Sequence, residues 1–157
     1  MSRFDEITVG QVAVLHKHVS QQDMDAFARL SGDQNPLHVD PEFSADTAFR
    51  RPIVYGMLVA SYVFHLIGVE LPGPGALCTQ QSFRWPAPVY VGDDLEIRLT
   101  IVHKSQGTRT VKVAMSVVNQ HGVVVMEGEG VVMVVDSNPQ VSHSVFGSIG
   151  HQDAAAI

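Results

Sequence analysis

Residues 56–70, GMLVASYVFHLIGVE, constrain this chain more than any other stretch. Neither proline nor a turn cluster interrupts the run, and only Ser61, Tyr62 and His65 give it a polar side. A helix of this kind is apolar nearly all round, so most of its circumference must be buried. It falls short of the roughly 20 apolar residues a membrane span needs, so its cover has to come from elsewhere in the protein. The second half of the sequence offers it. ALCTQQSFRW, DLEIRLTIVHK, TRTVKVAMSVVN and VVVMEGEGVVMVV are strand-like, two of them with clear alternation. Turn signals at Pro86-Ala87-Pro88, Gly92-Asp93, Ser105-Gln106-Gly107 and Gln120-His121-Gly122 separate them. The reading is an α+β fold, an antiparallel meander wrapped around one long central helix.

Ahead of the helix the pattern is shorter-ranged. A strand is predicted at residues 12–19, and Ser20 with Asp23 forms a capping box that should start a helix. Met24, Phe27 and Leu30 recur at helical spacing, and Gly32 is placed to end it. Asp40 as cap with Pro41 at the first helical position predicts one or two further turns ending before Pro52. At 157 residues the chain holds one domain, assigned to residues 1–136, with a polar tail at 137–157.

Between these helices lies SGDQNPLHVDP, with more chemistry than a turn requires. Asp33, Asn35 and Pro36 after a helix-ending glycine are ordinary turn formers, because their side chains bond nearby amides. His38 alone reads as a satisfied loop histidine. Three features favour a site. The Asn35-Pro36 step biases Asn35 to an extended backbone, so Asp33 and His38 can converge on one side of a stiff segment. A carboxylate beside an imidazole, shielded by Leu37 and Val39, forms an acid/base pair tunable towards neutral pH. RPIVYGML then delivers the Gly56 amide at the start of the buried helix, where unpaired N–H groups and the helix dipole favour a developing oxyanion.

Other classes are disfavoured. A net charge of −6 with ten scattered Lys and Arg gives no field for nucleic acid. One cysteine, Cys78, rules out an intramolecular disulfide, and it lies in a strand-like run with no activating group in view. Asp33, His38 and Asp40 match no standard zinc spacing, so no metal is expected. SGDQN has neither the glycines nor the following Lys-Ser or Lys-Thr of a phosphate loop. The opening MSRFDEITVG has no apolar leader core, which leads to a cytoplasmic expectation with no membrane partner.

With these residues assembled, the chain resembles the MaoC-like, (R)-specific enoyl-CoA hydratases of the hot-dog fold. Their signature is met by Phe27, Leu30, Ser31, Gly32, Asp33, Asn35, Pro36, Leu37, His38 and Ser44. The likeness continues through TAFRRPIVYGMLVAS, LPGPGA, FRWPAPVYVGDDLEI and GEGVVMV, covering roughly residues 5 to 135. It departs at Tyr55, where many relatives carry His.

The resemblance implies a homodimer joined edge to edge through its sheets, with sites near the interface. It also implies that Asp33 and His38 hold a water and that the Gly56 amide binds the thioester oxygen. The expected reaction is reversible addition of water to a trans-2-enoyl-CoA, with coenzyme A carried by the substrate and no separate cofactor. Asn35 is expected to position water or brace the loop. Met57, Tyr62 and Phe64 are candidates for limiting acyl chain length, with a lean to short chains from Phe64. Arg50-Arg51 lies near the motif as a candidate for the coenzyme phosphates. The alternatives are a 3-hydroxyacyl-[acyl carrier protein] dehydratase using the same residues and a non-catalytic acyl-CoA-binding domain.

Overall fold

The computed structural model describes residues 3–135. The assigned tail at 137–157 lies outside the described residues. A short helix α1 (Arg3–Glu6) leads into β1 (Val12–His18), α2 (Gln21–Ser31), α3 (Pro36–Val39) and α4 (Pro41–Ala45). The central helix α5 (Gly56–His65) runs on into a π-helical turn (Leu66–Glu70), and β2 (Ala76–Arg84), β3 (Asp94–Ser105), β4 (Thr110–Asn119) and β5 (Val124–Val134) follow. No helix among the described residues is long and apolar enough to cross a membrane.

The strands form one antiparallel sheet in the order β1-β3-β4-β5-β2. This corrects the expected meander. Only β3, β4 and β5 are sequential neighbours; β2 lies at the far edge beside β5, and β1 takes the other edge beside β3. The four strand-like runs were recognisable individually, but alternation carries no information on which neighbour a strand takes. Register shifts interrupt the β2–β5, β3–β4 and β4–β5 ladders. Such irregularities bend and twist a sheet, which lets this one curl around α5.

The core lies between that concave face and the helix. Leu95, Ile97, Leu99 and Ile101 of β3, with Val111, Val113, Met115 and Val117 of β4, meet Leu58, Val59, Val63, Leu66 and Ile67. Each fully buried aliphatic side chain of this size contributes about 1.5–3 kcal/mol relative to exposure. Burial of the helix is less complete than its sequence implies, because Met57 and Phe64 stay 55% and 41% exposed.

Gly128 explains why β2 can approach β5 so closely. A Cβ at this position would overlap the Ser82 carbonyl oxygen, a backbone atom that cannot swing aside. Gly128→Ala is expected to cost ~1–3 kcal/mol of stability through this overpacking, seen as a lower midpoint in thermal unfolding. An unchanged midpoint would show that β2 yields freely.

Candidate active site

The loop before α3 is built as its residue types predict. Ser20 and Asp23 close the capping box of α2, and Gly32 ends that helix at φ 71°. Ser31 Oγ donates to the Phe27 carbonyl at 2.8 Å and accepts from the Asp33 amide at 3.2 Å. Asp33 Oδ1 accepts from the Asn35 amide at 3.0 Å, and Asn35 Oδ1 caps α3 by accepting from Leu37 at 3.1 Å. Turn bracing and chemistry are therefore compatible here: each carboxylate or carboxamide spends one oxygen on the loop. Asp33 Oδ2 makes no hydrogen bond among the described residues.

The sequence predicts an extended backbone at Asn35 that breaks the preceding helix, and the structure adds a helical turn, Pro36–Val39, directly after it. Asn35 itself has φ −56° and ψ 124°, the extended backbone favoured before proline, and Pro36 then fits the first helical position. The turn carries His38 against the strand-like segment before α5. Its Nδ1 lies 2.8 Å from the Ile53 carbonyl oxygen. A carbonyl only accepts, so Nδ1 carries the proton and Nε2 is the nitrogen left for other partners. The Ile53 amide returns the contact by donating to Leu37 O at 3.0 Å, and Val54 donates to Val89 O at 2.8 Å. Segment 52–55 is thus pinned on both sides, which sets the start of α5.

At that start, Leu58 and Val59 donate to the Tyr55 carbonyl, and the Gly56 N–H has no partner among the described residues, as expected of a first-turn amide. A cleft of about 350 Å³ opens here, lined by His38, Phe49, Ile53, Gly56, Val59 and the connector from Trp85 to Val89. His38 and Gly56 share this cleft. Asp33 does not line it and is exposed.

Tyr55 ties the pieces together. It is 2% exposed, its hydroxyl donates to the Asp33 carbonyl at 2.8 Å, and its ring lies 4.1 Å from that of His38 and 5.0 Å from that of Phe27. Burial first, then the Asp33 and Asp25 carboxylates, push its phenol above the ordinary value, so the hydroxyl stays protonated and able to donate.

Trp85 is a cleft residue that sequence reasoning missed, having taken the run beginning Pro86 only as a turn. Its Nε1–H donates to the Gly56 carbonyl at 3.1 Å, and an added Cβ at Gly56 would lie 3.0 Å from the indole. As the only tryptophan in the sequence, next to a Pro-x-Pro turn, it was the available signal.

The remaining candidates are dispersed. Met57, Tyr62 and Phe64 do not line the cleft. Met57 and Phe64 are exposed, and Phe64 begins an aromatic row with Phe83, 6.4 Å away, and Trp85, 5.8 Å further. Tyr62 is buried with Lys17 5.2 Å from its ring centre, and its hydroxyl has no partner among the described residues. Burial, then Asp23, pushes that phenol up to about 12. Asp40 caps α4 through the Glu42 and Phe43 amides, and no metal-holding cluster occurs among the described residues. Burial raises the Cys78 thiol, partly offset by the Gln80 backbone, which makes it a poor nucleophile. Arg51 stacks 4.1 Å from the Tyr90 ring centre, and Arg50 turns the loop at φ 65°.

One helix gripped by a curled five-stranded antiparallel sheet, with an imidazole and a helix N-terminus meeting at a cleft beside it, defines an α+β hot-dog enzyme. The chain belongs to the MaoC-like domain family, whose model matches residues 6–123. It is similar to the (R)-specific enoyl-CoA hydratase of Aeromonas caviae, 42% identical over 128 residues, which span 80% of this chain and 94% of that protein. It is 38% identical over 133 residues to that of Rhodospirillum rubrum, spanning 83% and 90%. The solved structure of the A. caviae (R)-hydratase, described as involved in PHA biosynthesis, superposes with a TM-score of 0.79 at 39% identity, covering 83% of this chain and 98% of that one.

Proposed function

We propose that this protein is an (R)-specific enoyl-CoA hydratase, a hydro-lyase adding water reversibly to trans-2-enoyl-CoA to give (R)-3-hydroxyacyl-CoA. The observation that carries the reading is the cleft that His38 and Gly56 share, with the backbone of the Asp33 loop tied to Tyr55, the residue before Gly56. The similarity to (R)-specific hydratases over four-fifths of the chain supports it.

The β-carbon of an enoyl thioester becomes electrophilic only when charge moves onto the carbonyl oxygen. The Gly56 N–H receives that enolate-like charge at the positive end of α5. Asp33, ionised, takes one proton of the water as its oxygen bonds to the β-carbon, and His38 Nε2 orients that water. The resulting carboxylic acid then returns the proton to the α-carbon on the same face, restoring the thioester. Every proton is accounted for without an added cofactor, and coenzyme A enters and leaves with the substrate.

The same reading pairs two copies edge to edge. β2 forms one edge of the sheet, and exposed Leu77, Trp85 and Phe64 accompany it. An open strand edge with apolar neighbours is a ready pairing surface, and a second copy there would shelter the exposed Phe64 row, where the acyl chain is expected to lie.

Loss of the conjugated enoyl absorbance on mixing purified protein with crotonyl-CoA, with chiral analysis of the product, tests the proposal. Rapid loss giving the (R)-alcohol is expected. No turnover across a panel of acyl chain lengths, on coenzyme A or on acyl carrier protein, would leave only a binding domain.

A further inference from the structure

We infer that Tyr55 is the positioning residue of this site, one side chain that fixes the Asp33 loop and the His38 ring relative to each other. The inference rests on the hydration reading above. Among the described residues no hydrogen bond joins the Asp33 and His38 side chains directly; they sit on opposite sides of Pro36, one in a loop and one on a single helical turn. A helix of four residues has little stability of its own. Two acid/base groups on such elements need an outside support to hold a reactive geometry, and a displacement near 1 Å can cost about 10² in rate.

Tyr55 supplies that support from a rigid base. It is the cap residue of α5, its backbone carbonyl accepts from Leu58 and Val59, and its side chain is buried. Its ring lies against His38 at an interplanar angle of 34° while His38 Nδ1 is held by Ile53, so the imidazole is fixed by one face and one edge. Its hydroxyl reaches the Asp33 backbone carbonyl, leaving the carboxylate untouched. The residue after Tyr55 is Gly56, so the oxyanion donor is referenced to the same anchor. A histidine at this position would be shorter and would lack the phenolic hydroxyl that reaches the Asp33 carbonyl.

The test separates the hydroxyl from the ring. Tyr55→Phe keeps the packing against Phe27 and His38 and removes only the bond to Asp33. It should lower kcat about tenfold with KM within about twofold, and speed amide hydrogen exchange over residues 31–38 severalfold while exchange in α5 stays unchanged. Tyr55→Leu, which removes the ring as well, should lose more. Unchanged kcat with unchanged exchange overturns the inference. So does a fall in kcat without faster loop exchange, since the hydroxyl would then act on the substrate directly. If the wild-type protein hydrates no enoyl thioester, the hydration reading fails by itself. Loop exchange in Tyr55→Phe then decides the anchoring, upheld if faster and overturned if not.

Discussion

Asp33→Asn is expected to lower kcat by about 10²–10⁴, the range general acid–base catalysis supplies, with little change in KM or thermal midpoint. The substitution is nearly isosteric and selective. Asp33 Oδ1 accepts from the Asn35 amide, a bond an asparagine carbonyl oxygen also accepts. Tyr55 holds the Asp33 backbone carbonyl, which the substitution leaves in place. The loop therefore keeps its supports while the side chain loses its capacity to take a proton from water and return it to carbon. Crotonyl-CoA hydration and thermal unfolding, measured side by side, check the outcome. Turnover within tenfold of wild type by folded protein would remove Asp33 from proton transfer. A protein that only bound acyl-CoA would keep its affinity in this variant and show no rate to lose.

The legibility of this chain divides along physical lines. Features set by neighbours in sequence could be read directly: the Ser20–Asp23 capping box, the αL glycine at Gly32, the Asp40-Pro41 helix start and the extent of the apolar helix all appear where their chemistry puts them. Features set across the fold could not. Strand order depends on how the sheet closes around α5, so β2, expected beside β3 as the first strand of a meander, pairs with β5 at the far edge instead. The same limit applies to the site. Residue types and spacing singled out Asp33, His38 and Gly56, and the fold brings His38 and Gly56 to one cleft. Tyr55 looked like a departure of uncertain consequence and Trp85 like the end of a strand-like run before a turn. Their importance comes from contacts spanning 22 and 29 residues of chain, for which sequence spacing gives no signal. Phe64 and Met57 illustrate the converse, because a uniformly apolar helix conceals which of its residues a single chain leaves uncovered.

The oxyanion role of Gly56 can be isolated by a pair of substitutions because the backbone around it already suits proline. Tyr55 has φ −58° and ψ 127°, the extended conformation required before proline, and Gly56 is the first residue of α5, where proline is well tolerated and removes an N–H that the helix itself does not use. Any side chain here also presses a Cβ to 3.0 Å from the Trp85 indole, so Gly56→Pro alone would mix two effects. Gly56→Ala carries the same Cβ and keeps the N–H. Trp85 is 42% exposed and has room to give way, so Gly56→Ala should fold and report the cost of the crowding. The ratio of kcat between Gly56→Ala and Gly56→Pro then reports the donor, and it is expected to be about 10²–10³, the loss seen when one oxyanion donor is removed. Helical content and thermal midpoint should be close between the two variants. A ratio near one would transfer the oxyanion contact to another first-turn amide, Met57 N–H being next in line, and would leave Gly56 explained by its fit beneath Trp85 alone.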